Sequence, residues 1–130
     1  MRAVDTNLLV RLLVRDDEAQ AEAAEKAIGA GPALILPTVL LEAEWVLRSR
    51  YLLPRHRIAE GLATLMGQPE ITVASSAAVA RALAAYARKG DFADHLHLAL
   101  AAEQGATAFA TFDRALAALA DEGPAVEVIG

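Results

Sequence analysis

Three features of the sequence predict an α/β fold built on a parallel sheet. Short apolar runs without polar alternation recur along the chain, as expected for strands covered on both faces. Longer amphipathic segments separate them, so helical crossovers and parallel pairing are the expected connections. Alanine fills 31 positions, which favours helix in those longer segments.

The elements follow in order. Arg2-Ala3-Val4 reads as a first strand, with helices over 6–14 and 17–30, the second ended by Gly29 and Gly31. Leu34-Ile35-Leu36 is a second strand stopped by Pro37, before a nearly all-apolar helix over 38–50. Pro54 suits the first turn of a helix that runs to Met66. Ile71-Thr72-Val73 is a third strand. Ser76 caps a helix to Lys89, ended by Gly90, and Asp91 opens another to Gln104, ended by Gly105. A fourth strand spans 106–110, a short helix 114–120, and Val126-Glu127-Val128 is a fifth strand. No internal repeat or linker interrupts this order, so 130 residues are expected to form a single domain, 1–130.

Composition excludes several classes. With 55% hydrophobic and 22% charged residues, wholesale disorder is excluded. The absence of cysteine removes a disulfide framework, a thiolate metal site and a cysteine nucleophile, and fits a cytoplasmic chain. The start shows no basic region leading into an apolar run, so no signal peptide is expected. The charge-free stretch from Ala27 to Leu41 is broken by Gly29, Gly31, Pro32 and Pro37, so no membrane span is expected. A net charge of −5 argues against nucleic-acid binding through bulk basic charge. If a polyanion is the partner, the acids must serve a local purpose.

Ligands of open α/β sheets bind beyond the carboxyl ends of the strands. Asp5 ends the first strand, and Asp113 follows the fourth after Thr111-Phe112. Asp91 and Asp94 open a helix three residues apart and share a face. Glu42 lies in the helix after the second strand. These five acids come from four segments that could meet at one end of the sheet. Asp5, Asp91 and Asp113 can equally be helix caps, and Asp94 can serve the helix dipole. Glu42 has Thr38, Val39, Trp45 and Val46 as helical neighbours and no basic residue beside it. Burying it there would be costly without a cation. Glu44 has Arg48 one turn on and reads as a surface pair.

Two carboxylates about 5 Å apart repel by roughly 3 kcal/mol at an effective dielectric near 20. Four or five together need a counter-charge. An all-oxygen donor set suits Mg²⁺ or Mn²⁺ better than zinc. Such an ion activates water and clamps a phosphate oxygen, which is how an acidic chain could address a polyanion.

The segments Val4-Asp5-Thr6-Asn7-Leu8-Leu9, Leu40-Leu41-Glu42-Ala43-Glu44-Trp45-Val46-Leu47, Asp91-Phe92-Ala93-Asp94 and Ala110-Thr111-Phe112-Asp113 stand in this order over nearly the whole chain. In this the sequence resembles the PIN-domain family, and within it the VapC-type toxins of toxin–antitoxin pairs. The resemblance implies a three-layer α/β/α sandwich with a central, mostly parallel five-stranded sheet. It also implies a metal-dependent endoribonuclease. Carried over by motif, Asp5, Glu42, Asp94 and Asp113 match the acidic quartet that binds the metal and serves catalysis. Asp91 matches an accessory metal-binding acid. Asn7 and Thr111 match positions that orient those carboxylates. The implied partners are RNA, a cognate antitoxin and a second copy of the chain.

Arg11, Arg15 and Arg114 are candidate phosphate contacts, although Arg11 and Arg15 can instead pair with nearby acids such as Glu18. His95 and His97 follow Asp94 and read as exposed helix residues, and His56 reads as surface. The stretch Trp45 to Leu53 reads mostly as core, with Tyr51-Leu52-Leu53 able to form an interface. Two rival enzymes fit poorly. A haloacid-dehalogenase-type phosphatase needs an acid where Asn7 stands, and a receiver domain needs one after Val73, where Ala74-Ser75-Ser76 follows. A non-catalytic interaction module on the same fold, or a stand-alone RNA-processing nuclease, are the remaining alternatives.

Overall fold

Asp5 is the first residue at which local chemistry sets the path of the chain. In the computed structural model, which describes residues 1–119 and 123–130, strand β1 (Arg2–Ala3) ends just before it. Asp5 has extended backbone geometry, and its Oδ1 accepts the Leu8 N–H at 3.2 Å, capping helix α1 (Thr6–Val14). Arg15 closes α1 in the left-handed region at φ 57° and donates its N–H to Arg11 O. Asp17 repeats the capping device for α2 (Glu18–Gly29), accepting the Gln20 N–H at 3.1 Å. Strand β2 (Ala33–Ile35) leads into α3 (Pro37–Ser49), where Pro37 occupies the first turn and needs no N–H partner. Helix α4 (Arg55–Met66) and strand β3 (Ile71–Val73) follow.

The chain divides into two compact units, Met1–Ser76 and Ala77–Gly130. In the first, β1, β2 and β3 form a parallel sheet in that order. Ala33 of β2 pairs with Arg2 on one side and Ile71 on the other. Helix α1 packs on α2 and α3, and α3 on α4. Leu9, Val10, Ile35, Leu40, Leu47, Ile58 and Leu62 are buried there. Each such side chain contributes about 1.5–3 kcal/mol when fully withdrawn from water.

The second unit contains α5 from Ala77 onward (Ser76–Arg88 in full), α6 (Phe92–Glu103), β4 (Ala108–Thr111), a 3-10 helix (Arg114–Leu119) and β5 (Ala125–Val128). Strands β4 and β5 pair in parallel from Ala108↔Ala125 to Thr111↔Val128. Tyr86 and Phe92 are buried, with ring centroids 5.3 Å apart across the α5–α6 turn.

Two sequence expectations need correction. The five strands form a three-stranded and a two-stranded sheet, not one five-stranded sheet, among the described residues. Strand β1 is only two residues long, pairs with β2 alone, and both its residues are exposed. An apolar run marks a strand, but ladder membership also needs length and a free edge in register, which composition does not carry. Nor are all strands covered on both faces. Strands β4 and β5 alternate exposed and half-buried residues, the one-sided pattern. The last residue of the expected helix over 114–120 lies outside the described residues.

Gly90 makes the α5–α6 turn at φ +92°. A Cβ there would lie 2.7 Å from His95 Nε2 and 2.9 Å from Leu119 Cδ2. Gly105 shares the positive φ, at +85°, but a Cβ on it would meet nothing within 4 Å. Gly90→Ala is expected to destabilise by about 1–3 kcal/mol through backbone strain, with the steric clash on top. Gly105→Ala should lose only the strain. Urea unfolding midpoints read the difference, and equal losses would show that the space beside Gly90 constrains nothing.

Candidate functional site

In residues 1–76 the candidate acids sit on two elements. Asp5 is exposed, with Oδ1 on the Leu8 amide, which leaves its second oxygen outward of the cap. Glu42 is exposed on α3. Its neighbour behaves oppositely to the sequence reading. Glu44 is only 2% exposed, and its Oε2 accepts from Arg48 Nε at 2.7 Å. The surface pair is therefore a carboxylate sunk against the core and held by a half-exposed guanidinium. The supposed cost of burying Glu42 does not arise, because α3 turns Glu42 outward and Glu44 inward. Asn7 is exposed near the start of α1.

The arginines are committed locally. Arg11 Nη1 donates to Asp16 Oδ1 at 2.8 Å. Arg15 donates to Glu18 at 2.6 Å and also to Glu25, and these bonds hold its guanidinium above its ordinary pKa. Exposed pairs of this kind are worth about 0–1 kcal/mol, so a stronger anion could displace them. A recess of about 750 Å³ bordered by Leu12, Leu13, Ile28, Leu47 and Ile58 includes neither Asp5 nor Glu42. Its wall mixes these apolar side chains with charged ones, among them Arg15, Glu25, Arg57 and Glu60.

In residues 77–130 the three candidate acids lie at the start of α6 and in the turn after β4. Asp91 caps α6, its Oδ2 accepting the Asp94 N–H at 3.1 Å. Asp94 lies half-buried in the first turn of that helix. Asp113 follows β4, where Thr111 Oγ1 accepts the Asp113 N–H at 3.0 Å and Asp113 Oδ1 accepts the Ala115 N–H at 2.9 Å. Thr111 thus holds the backbone of Asp113 in a tight turn. The Asp94 carboxyl is raised above the ordinary 3.8, first by burial, then by the negative charges of Asp91 and Asp113. His97 and His95 act weakly in the opposite sense. Arg114 is exposed, with Nη2 3.3 Å from Gly130 O.

Of the histidines, His95 differs from its sequence reading, whereas His56 and His97 are exposed as expected. His95 is 6% exposed, and its Nε2 lies 2.7 Å from Lys89 O. To donate to that carbonyl, Nε2 must carry the proton, so the ring pins the α5–α6 turn that carries Asp91. His97 is exposed and stacks on Phe109, with centroids 6.5 Å apart and planes 17° apart. Trp45, expected in the core, is 50% exposed, while Leu52 is 79% exposed, as an interface residue would be. Phe112 is the residue whose setting the sequence reading missed. It is 82% exposed, between Thr111 and Asp113. Its position just past the end of β4, in a turn flanked by polar residues, is the signal that could have found it.

Among the described residues, no group of three or more His, Asp or Glu side chains is gathered closely enough to hold a metal ion. The caps explain part of this. Asp5, Asp91 and Asp113 each direct one oxygen to a backbone amide of the turn or helix that follows. A carboxylate has capacity beyond one such bond, so capping and ligation are compatible.

These features define an α/β protein with acids placed after its strands and at helix starts. The chain matches the PIN domain over residues 2–122 and belongs to the PIN-domain family. No curated protein matches it. PIN domains are generally metal-dependent nucleases that act on RNA. The matched span runs through both units and includes Asp5, Glu42, Asp91, Asp94 and Asp113. No described helix is long and apolar enough to cross a membrane.

The raised Asp94 carboxyl sets a sign for stability. The folded chain holds this proton more tightly than the unfolded chain, so ionising Asp94 at neutral pH opposes folding. The penalty is relieved as pH falls through the raised folded value and is gone below 3.8. In chelator, Asp94→Asn is expected to melt above the parent at pH 7, with the gap closing as pH falls below 3.8. A lower Tm for the variant at pH 7 would show that the ionised carboxylate stabilises the fold.

Proposed function

We propose that the chain is a Mg²⁺- or Mn²⁺-dependent endoribonuclease that hydrolyses RNA phosphodiester bonds. We read it as one nuclease domain over residues 1–130 and as the toxin of a toxin–antitoxin pair. The observation that supports the reading is the family match together with Asp91 and Asp94 at the start of α6 and Asp113 after β4, where burial first and then the two neighbouring charges raise the Asp94 carboxyl. A cation is what such a group lacks. The all-oxygen chemistry of the donors fits a hard divalent ion.

Asp5, Asp94 and Asp113 would hold the ion, with Glu42 and Asp91 completing the acidic set. When bound, the ion supplies charge stabilisation at the phosphate and lowers the pKa of water. The protein's own part is to orient the acids. Leu8 N–H and Ala115 N–H fix one oxygen each of Asp5 and Asp113, and Thr111 holds the turn. Neither histidine is needed as a base, since His95 is committed to Lys89 O and His97 lies against Phe109. Arg114 follows Asp113 directly and would meet a phosphate oxygen on leaving Gly130 O, whereas Arg11 and Arg15 would first leave Asp16, Glu18 and Glu25. An antitoxin or a second copy of the chain would find apolar surface at Leu52 and Trp45. A cytoplasmic setting accords with the absence of cysteine.

Purified protein should cleave RNA in Mg²⁺ or Mn²⁺ and stop in chelator. Asp5→Asn, Glu42→Gln and Asp94→Asn should each lower the rate about a hundredfold or more, with circular dichroism unchanged. A variant that cleaves at the parent rate removes its residue from the site. Cleavage that persists in chelator contradicts the metal-dependent reading.

A further inference from the structure

Phe112 is, among the described residues, the most exposed large hydrophobic side chain, at 82%, while Phe92 is buried and Phe109 half-buried. Its backbone is not loose. The residue before it bonds the residue after it through Thr111 Oγ1 and Asp113 N–H, and Thr111 O accepts the Ile129 N–H at 2.7 Å. Asp113 in turn bonds Ala115. The ring is thus presented to water from a turn tied on both sides. Exposing an aromatic ring there forgoes its burial free energy, which a bound partner would recover.

The neighbours of the ring say which partner. Phe112-Asp113-Arg114 places an apolar face, a carboxylate and a guanidinium on three consecutive residues, with successive Cα atoms about 3.8 Å apart. An apolar protein surface closing over Phe112 would desolvate both flanking charges at a cost. A nucleotide would not, because it offers a flat base to the ring and a phosphate to the cation. We infer that Phe112 is a stacking platform for an unpaired nucleobase next to the scissile phosphate, with Arg114 meeting a neighbouring phosphate. This rests on the nuclease reading above and gives Phe112 the task of holding one unpaired base beside the cut. In a duplex, both faces of each base are already covered, so only a splayed or unpaired base can meet the ring.

Two readouts on the full chain test this. The first is fluorescence anisotropy of a labelled unstructured RNA oligonucleotide and of its duplex, in chelator. The second is steady-state cleavage of the same single strand in Mn²⁺. Phe112→Ala is expected to weaken single-strand binding about tenfold and to raise KM by a similar factor, with kcat within about twofold. Phe112→Trp should retain both, and the duplex should bind weakly to every form. Because the ring is exposed, both variants should melt like the parent. Unchanged binding and KM in Phe112→Ala would overturn the inference, as would parent protein that binds no single strand. A switch from dimer to monomer in Phe112→Ala with unchanged RNA binding would also overturn it and would assign the ring to a contact between copies. Phe112-dependent binding without any cleavage would uphold the platform and instead overturn the nuclease reading.

Discussion

Repulsion between carboxylates is the constraint on which the site depends. Asp94 is half-withdrawn from water beside two other aspartates, so burial raises its carboxyl first and the charges of Asp91 and Asp113 add to that. A fold keeps such a group only by offsetting its cost elsewhere. Here part of the offset comes from the backbone. Asp91 caps α6 and Asp113 closes the turn after β4, so both acids stabilise local structure while their charges act on Asp94. Asp5 likewise caps the start of α1. Each of these three residues therefore caps local structure with one oxygen and retains acceptor capacity beyond that bond.

That double role explains what was legible in the sequence. Helix starts were readable at Asp5 and Asp91, which are capping residues. Pro37, read as a strand stop, instead opens α3, and Pro54, read as a first-turn residue, is the N-cap of α4. Gly90 was readable as a stop, and its positive φ and tight fit against His95 give the reason. The same caps kept cap and ligand readings of the aspartates apart only in words, since one carboxylate can satisfy both. The α/β class and the strand positions were readable from apolar runs. Membership in one sheet or two was not, because β1 contributes two residues and only one paired edge.

Side-chain burial was the least legible property. Glu42 and Glu44 stand two apart on α3, and the neighbour rule ranked the wrong one as the buried acid. Counting basic residues one turn away describes an isolated helix, whereas which face meets the core is decided by tertiary packing. His95 was misread for the same reason. Its ring is withdrawn from water by contacts around the α5–α6 turn, far better predicted by the geometry of Gly90 than by its own neighbours in α6. Phe112 reversed the error, an apolar residue read as part of a motif and found facing water.

Whether acids from both ends of the chain serve one ion is most directly read by paramagnetic broadening of backbone amide resonances on titration with Mn²⁺. At substoichiometric Mn²⁺, the amides around Asp5, Glu42, Asp94 and Asp113 should broaden together and recover together when chelator is added. Broadening confined to the stretch from Asp91 to Asp113, with Asp5 and Glu42 untouched, would contradict a shared metal centre.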